Sequence, residues 1–154
     1  MATDLTTFNF TPGPDLAQDL IEGLFNSNAV DTLSGNDTLK GRFDDLDGIG
    51  SGIGIENTGT IKTSRGNDSI FVVSISNEGT IDTGEGNDTI TATNSASASL
   101  VGGYISNQGV IKTGKGNDSI TVTAASDAIF NTGTIKTGLG NDSITAASDG
   151  FGDG

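Results

Sequence analysis

The chain contains no cysteine, no histidine and no tryptophan, and its 154 residues include one tyrosine and two prolines. Without cysteine it forms no disulfides and no thiolate metal sites. Without histidine it lacks the usual partner for general acid–base chemistry at neutral pH. Aromatic residues make up only 5%, too little to build a thick layered core. Basic residues are scarce as well: 7 Lys and Arg stand against 20 Asp and Glu, for a net charge of −13. That balance argues against nucleic acid and anionic membrane surfaces as partners and calls for a cationic one. No apolar run approaches the ~20 residues of a membrane-spanning helix. The first residues show no basic stretch followed by an apolar one, so no Sec-type leader is expected.

What the chain has in abundance is glycine, 24 residues, and repetition. The phrase TGEGNDTIT at 83–91 returns as TSRGNDSIF at 63–71, TGKGNDSIT at 113–121 and TGLGNDSIT at 137–145, with a looser copy, LSGNDTLKG, at 33–41. Before each good copy stands a second phrase, I-x-N-x-G-x-I-x-T, beginning at Ile55, Ile75, Ile105 and Ile129. The motif aspartates Asp68, Asp88, Asp118 and Asp142 are spaced 20, 30 and 24 apart. Repeats of this length signal stacked coils, each too thin to bury a core alone. A bare coil is therefore about 20 residues, and the excess forms loops, the largest within 91–104.

Inside a coil the apolar residues alternate with polar ones, the pattern of short strands. Aligned coils place Ile55, Ile75, Ile105 and Ile129 in one inward column. Ile61, Ile81, Ile111 and Ile135 make a second, and Ile70, Ile90, Ile120 and Ile144 a third. Asn57/77/107/131 and Asn67/87/117/141 line up as amide ladders at turns. Lys62, Asp82 and Lys112 alternate in sign up one outer row, and Arg65, Glu85 and Lys115 up another, so most of the basic charge is assigned to stacking. The fold class expected is all-β: a parallel β-solenoid, of β-roll or β-helix type, with about five to six coils.

Upstream, Leu5 to Phe10 reads as an edge strand. Pro14 opens a short amphipathic helix over 14–25, with Leu16, Leu20, Ile21, Leu24 and Phe25 on one face, capping the stack. The organisation is then an N-terminal strand and capping helix at 1–30, a degenerate opening coil at 31–54, and regular repeats at 55–154.

The repeat resembles the RTX, or haemolysin-type calcium-binding, family, whose nonapeptide is G-G-x-G-x-D-x-U-x with U a large apolar residue. The match runs from the second position in three copies: Gly84, Gly86, Asp88 and Ile90; Gly114, Gly116, Asp118 and Ile120; Gly138, Gly140, Asp142 and Ile144. A fourth copy has Gly66, Asp68 and Ile70 but carries Ser64 at the second position, and threonine replaces the first glycine in all four. The resemblance implies Ca2+ held between coils by these glycine turns and aspartates, with Asp37 a weaker member. One motif per coil places that calcium along a single edge. It further implies an extracellular or cell-surface protein, exported by type I secretion, that folds on meeting calcium.

Three classes of function remain in view. The first is a calcium-stabilised structural protein that stacks head to tail into oligomers or fibres, with 1–13 adding a strand to a neighbour. The second is a ligand-binding face, for cell-surface glycans or for ice. Ice is disfavoured because Arg65, Glu85, Lys115 and Leu139 occupy the row between the turn glycines. The third, enzymatic, lacks a constellation to carry it: no histidine, one tyrosine (Tyr104), and no lysine–carboxylate cluster outside the outer rows.

Overall fold

The structure is a computed structural model and describes residues 3–18, 23–41, 54–93, 103–124 and 127–148. It is all-β, with the strands gathered into three parallel sheets. One repeat contributes one strand to each sheet, and we call that set a rung. Rung two is Ile55–Asn57, Thr60–Lys62 and Ser69–Val72; rung three is Ile75–Asn77, Thr80–Asp82 and Thr89–Thr93. Rung four is Ile105–Asn107, Val110–Lys112 and Ser119–Ala124, and rung five is Ile129–Asn131, Thr134–Lys136 and Ser143–Ser148.

Pairing is in register throughout: Ile55 with Ile75, Ile61 with Ile81, and Ile70 with Ile90 across rungs two and three, and likewise onward to rung five. The three isoleucine columns are fully buried from Ile55 to Ile120. β-Branched side chains stacked on their own kind fit the pleat and leave no gap between rungs. Such an arrangement is compatible with a β-solenoid.

Rung one begins earlier than the repeat phrase suggests. It consists of Leu24–Asn26, Ala29–Asp31 and Thr38–Lys40, with Leu24, Val30 and Leu39 buried in the isoleucine positions. Asn26 stands in register with Asn57, so 24–32 is a copy of the I-x-N-x-G-x-I-x-T phrase with most of its letters replaced. The acidic run at 44–47 and the glycines at 48–52 lie outside the described residues, as do most of the 91–104 excursion and positions 125–126 of the next one.

The expected helix over 14–25 is corrected. Leu16–Gln18 is a strand paired with Thr38–Lys40, and Leu24–Asn26 is a strand of a different sheet; residues 19–22 lie outside the described set. Ladder pairing, not helical spacing, decides which face points inward: Ala17 is buried, and Leu16 is 53% exposed. The edge strand expected over Leu5 to Phe10 is also corrected. Thr3–Asp4 pairs with Leu24–Phe25, and Leu5–Thr7 is a 3-10 turn capped by the Asp4 carboxylate, which accepts from the Thr6 amide at 2.9 Å. That turn drops Leu5 into the end of the core, with Phe8 and Phe10 packed partly over it.

Length varies at one corner only. Two residues always separate the first strand of a complete rung from the second, and six separate the second from the third. The irregular repeat spacing arises where the third strand hands on to the next rung: only Val73 and Ser74 lie between Val72 and Ile75, but residues 94–104 lie between Thr93 and Ile105.

Candidate functional site: the buried aspartate column

The glycine turn carries the chain from the second sheet to the third. Gly86 and Gly116 both have φ of +141°, a region that L-residues rarely enter. A side chain is excluded there for a second reason: a Cβ on Gly86 would overlap the Gly66 carbonyl oxygen, and one on Gly116 the Gly86 carbonyl. Rungs therefore close onto each other backbone to backbone at this turn. The motif glycines Gly84, Gly114 and Gly138 share the positive φ, whereas Leu33 and Ser64 hold it at 76° and 71° without being glycine.

Just after the turn the aspartate side chain points inward. Asp37, Asp68, Asp88 and Asp118 are 1–2% exposed and form one column, with Asp142 at its end. The amide of each donates to Oδ1 of the aspartate one rung on: Asp37 to Asp68 at 2.8 Å, Asp68 to Asp88 and Asp88 to Asp118 at 2.9 Å, Asp118 to Asp142 at 3.0 Å. Asp15 begins the column, its amide donating to Asp37 at 2.9 Å, but its own carboxylate turns aside to Thr11. In Asp68, Asp88 and Asp118 the second oxygen, Oδ2, is buried without a hydrogen-bond partner.

A threonine column runs beside the carboxylates. Thr63, Thr83 and Thr113, which replace the first glycine of the nonapeptide, donate their hydroxyl protons to the carbonyls of Thr83, Thr113 and Thr137 at 2.9, 3.1 and 2.9 Å. In rung one the Thr32 hydroxyl reaches both Oδ2 of Asp37 and, at 3.3 Å, the Thr63 carbonyl. The invariant threonine closing the I-x-N-x-G-x-I-x-T phrase was the available signal for this column.

The electrostatics follow from the burial. Desolvation pushes the Asp68 carboxyl up to about 6, with the neighbouring Asp88 and Asp37 adding to the rise and the Asp37 amide and Thr63 opposing it. Asp88 is raised for the same reason, with Asp118 and Asp82 contributing. Outer-face acids behave oppositely. Burial works against the charge of Asp31, but hydrogen bonds from Ser64, the Leu33 amide and Lys62 outweigh it and hold the carboxyl low. Exposed Glu85 is held low by the hydrogen bond and charge of Lys115, helped by Arg65. The alternating rows thus do form pairs: Lys62 with Asp31, Lys112 with Asp82, and Glu85 with both Arg65 and Lys115.

Whether calcium fits this turn is decided by its oxygens. The ion takes 6–8 of them. The carbonyls of Ser64, Gly84 and Gly114 accept the amides of Glu85, Lys115 and Leu139, and those of Arg65, Glu85, Lys115 and Leu139 accept the amides of Gly35, Gly66, Gly86 and Gly116. Gly66 and Gly86 aim their carbonyls at the next glycine α-carbon. Oδ1 of Asp37, Asp68, Asp88, Asp118 and Asp142 each takes an amide, and Oδ2 is left without a partner in Asp68, Asp88 and Asp118. Among the described residues no group of three or more acidic side chains is gathered at one point, and calcium can draw its remaining oxygens from backbone carbonyls. The residues that the resemblance assigns to calcium, Gly66, Gly84, Gly86, Gly114, Gly116, Gly138 and Gly140 with the five aspartates, are brought together as a hydrogen-bonded ladder that leaves Oδ2 of Asp68, Asp88 and Asp118 buried without a partner.

Comparison with protein-family models, with curated proteins and with solved structures returns no match.

Proposed function

We propose that this chain is a structural protein, a β-solenoid that associates end to end with further copies of itself. The observation that carries the reading is the contrast between its two ends. Ile144 is 50% exposed although it continues a column whose neighbour, Ile120, is fully buried. Ile129 and Ile135 of the same rung are only partly buried, so the last described rung leaves an apolar floor bordered by three strand edges. Strand edges and apolar floor together make a template for another chain. The opposite end is covered over the second sheet by Leu5, Phe8 and Phe10.

A second copy is the occupant that the columns favour. Asp142 ends the series in which each amide meets the next carboxylate, and Asp15 stands at the corresponding place at the other end. Joined head to tail, the terminal strands Ile129–Asn131 and Ser143–Ser148 meet Thr3–Asp4 and Leu16–Gln18, the outermost strands of the same two sheets. Residues 1–13 do not lend a strand to a neighbour in this scheme, because Thr3–Asp4 pairs within its own chain. The column carboxylates, at 1–2% exposure, are out of reach of any substrate, which favours a mechanical over a catalytic role.

Light scattering after size exclusion tests the reading. Mass should rise with protein concentration, and Ile144→Lys, which places a charge on the open floor, should return the protein to monomer with unchanged circular dichroism. A protein that stays monomeric over the whole concentration range would overturn it.

A further inference from the structure

Resting on the end-to-end association above, we propose that Pro12 and Pro14 hold that joint weak. They withhold the two amides that later rungs donate to the rung before them, so copies join reversibly. Stacking fixes the place of both residues. A Cβ on Gly35 would overlap the carbonyl of Gly13, as one on Gly66 would overlap that of Gly35. The Asp15 amide donates to Asp37 as that of Asp37 donates to Asp68. The Thr38 amide reaches the Asp15 carbonyl as that of Ser69 reaches the Asp37 carbonyl. Residues 12–15 are therefore one more copy of the glycine turn. Pro12 stands at the place of Ser34 and Arg65, and Pro14 at that of Asn36 and Asn67. The chain has two prolines, and this turn holds both.

In later rungs the two places are bonded to the rung before. At the first, the amides of Glu85, Lys115 and Leu139 donate to the carbonyls of Ser64, Gly84 and Gly114 at 2.8, 2.9 and 2.9 Å. At the second, the amides of Asn67, Asn87, Asn117 and Asn141 donate to Oδ1 of Asn36, Asn67, Asn87 and Asn117 at 2.8, 2.7, 2.7 and 2.8 Å. Proline has no amide hydrogen, and its ring occupies the side from which such a bond would leave. An edge built this way donates nothing to an incoming chain. The other polar group of the turn is tied inward: the Asp15 carboxylate accepts from the Thr11 amide at 2.6 Å and from its hydroxyl at 3.1 Å.

At the other end, the last rung presents the acceptors that these amides would meet. They are the Gly138 carbonyl and Oδ1 of Asn141, neither of which takes a hydrogen bond among the described residues. A head-to-tail joint sets them against Pro12 and Pro14 of the next copy. Both acceptors then lose water without gaining a donor, which costs free energy where the same step inside the chain gains it. Strand edges and the apolar floor are left to hold the joint. Both prolines are exposed, so replacing them opens no cavity in the core.

The test is sedimentation equilibrium of the full chain and of a double variant, Pro12→Ser with Pro14→Asn, which gives the first turn the residues that rung one carries there. Two restored hydrogen bonds should raise the association constant about tenfold to a hundredfold. Asn141→Ala locates the gain. In the double variant it removes the acceptor of the new amide at 14 and should lower the constant about fivefold. In the wild-type background no amide faces Asn141, and the constant should stay within about twofold. A double variant that associates no more tightly than an associating wild type, or an equal loss from Asn141→Ala in both backgrounds, overturns the role of the prolines and leaves the association standing. A wild type that stays monomeric while the double variant associates does the reverse. If neither associates, both readings fall. Should the double variant not fold, Pro14→Asn alone decides: a gain of about fivefold supports the proposal, and no gain overturns it.

Discussion

The side-chain amide of Asn77 donates to Oδ1 of Asn107 at 2.7 Å, across thirty residues of sequence and a single rung of structure. The same nitrogen reaches the carbonyls of Gly79 and Val110 at 3.2 Å, and the Asn77 oxygen accepts from Asn57 at 2.7 Å. Asn26, Asn57, Asn77 and Asn107 are all fully buried. A buried amide is tolerated only when both ends are satisfied, and here each asparagine satisfies the next.

Asn77→Ala should therefore destabilise by about 2–4 kcal/mol, since it removes the shortest acceptor of the Asn57 amide, deprives Asn107 of its donor and opens a cavity. Asn131→Ala should cost less: it also removes an acceptor, that of the Asn107 amide at 2.7 Å, but Asn131 is exposed and its loss opens no buried cavity. Equilibrium urea unfolding of both variants gives the comparison.

Gly86→Ala should destabilise by about 3 kcal/mol or more, through both its positive φ and the overlap with the Gly66 carbonyl. Gly13→Ala is the control: its Cβ would meet nothing closer than the Thr11 hydroxyl at 3.7 Å, and it should fall within about 0.5 kcal/mol of wild type. Thermal melts of the two variants separate a turn that must be glycine from one that need not be.

Leu33→Gly should stabilise the protein by about 0.5–1 kcal/mol. Leu33 sits at φ 76° in the position that is Gly84, Gly114 and Gly138 elsewhere, and its side chain is largely exposed. Ser64→Gly should gain less, since the Ser64 hydroxyl donates to Asp31 at 2.7 Å. A rise in melting temperature for Leu33→Gly checks the prediction, and a fall refutes it.

Replacing residues 93–104 by the two-residue link Val-Ser, so that Ala92, the partner of Val72, is joined to Ile105 as Val72 is to Ile75, should leave stability within about 1 kcal/mol. Loop length costs only ~0.6 kcal/mol per doubling, and that link already joins Val72 to Ile75. Urea midpoints of the shortened and full chains provide the measurement.

Period-two alternation repeated over several copies made the isoleucine columns, the amide ladders and the paired outer rows legible in the sequence. The first two strands of rung one were not, because leucine and valine fill their isoleucine places and Asn28 the glycine place. The helix expected over 14–25 arose from Leu16 and Leu24 falling at helical spacing, although one belongs to the third sheet and the other to the first. The aspartate column was legible as a column but not in its surroundings. Sequence spacing locates the carboxylates; it does not say that the turn carbonyls beside them accept amides from neighbouring rungs.

The confinement of length variation to one corner has a mechanical meaning. Two sides of every rung act as a fixed gauge, and the third junction is a mounting point that recurs at a constant pitch along one margin of the stack. Foreign peptides grafted there would be carried like pegs on a rail, each added or removed without retuning its neighbours.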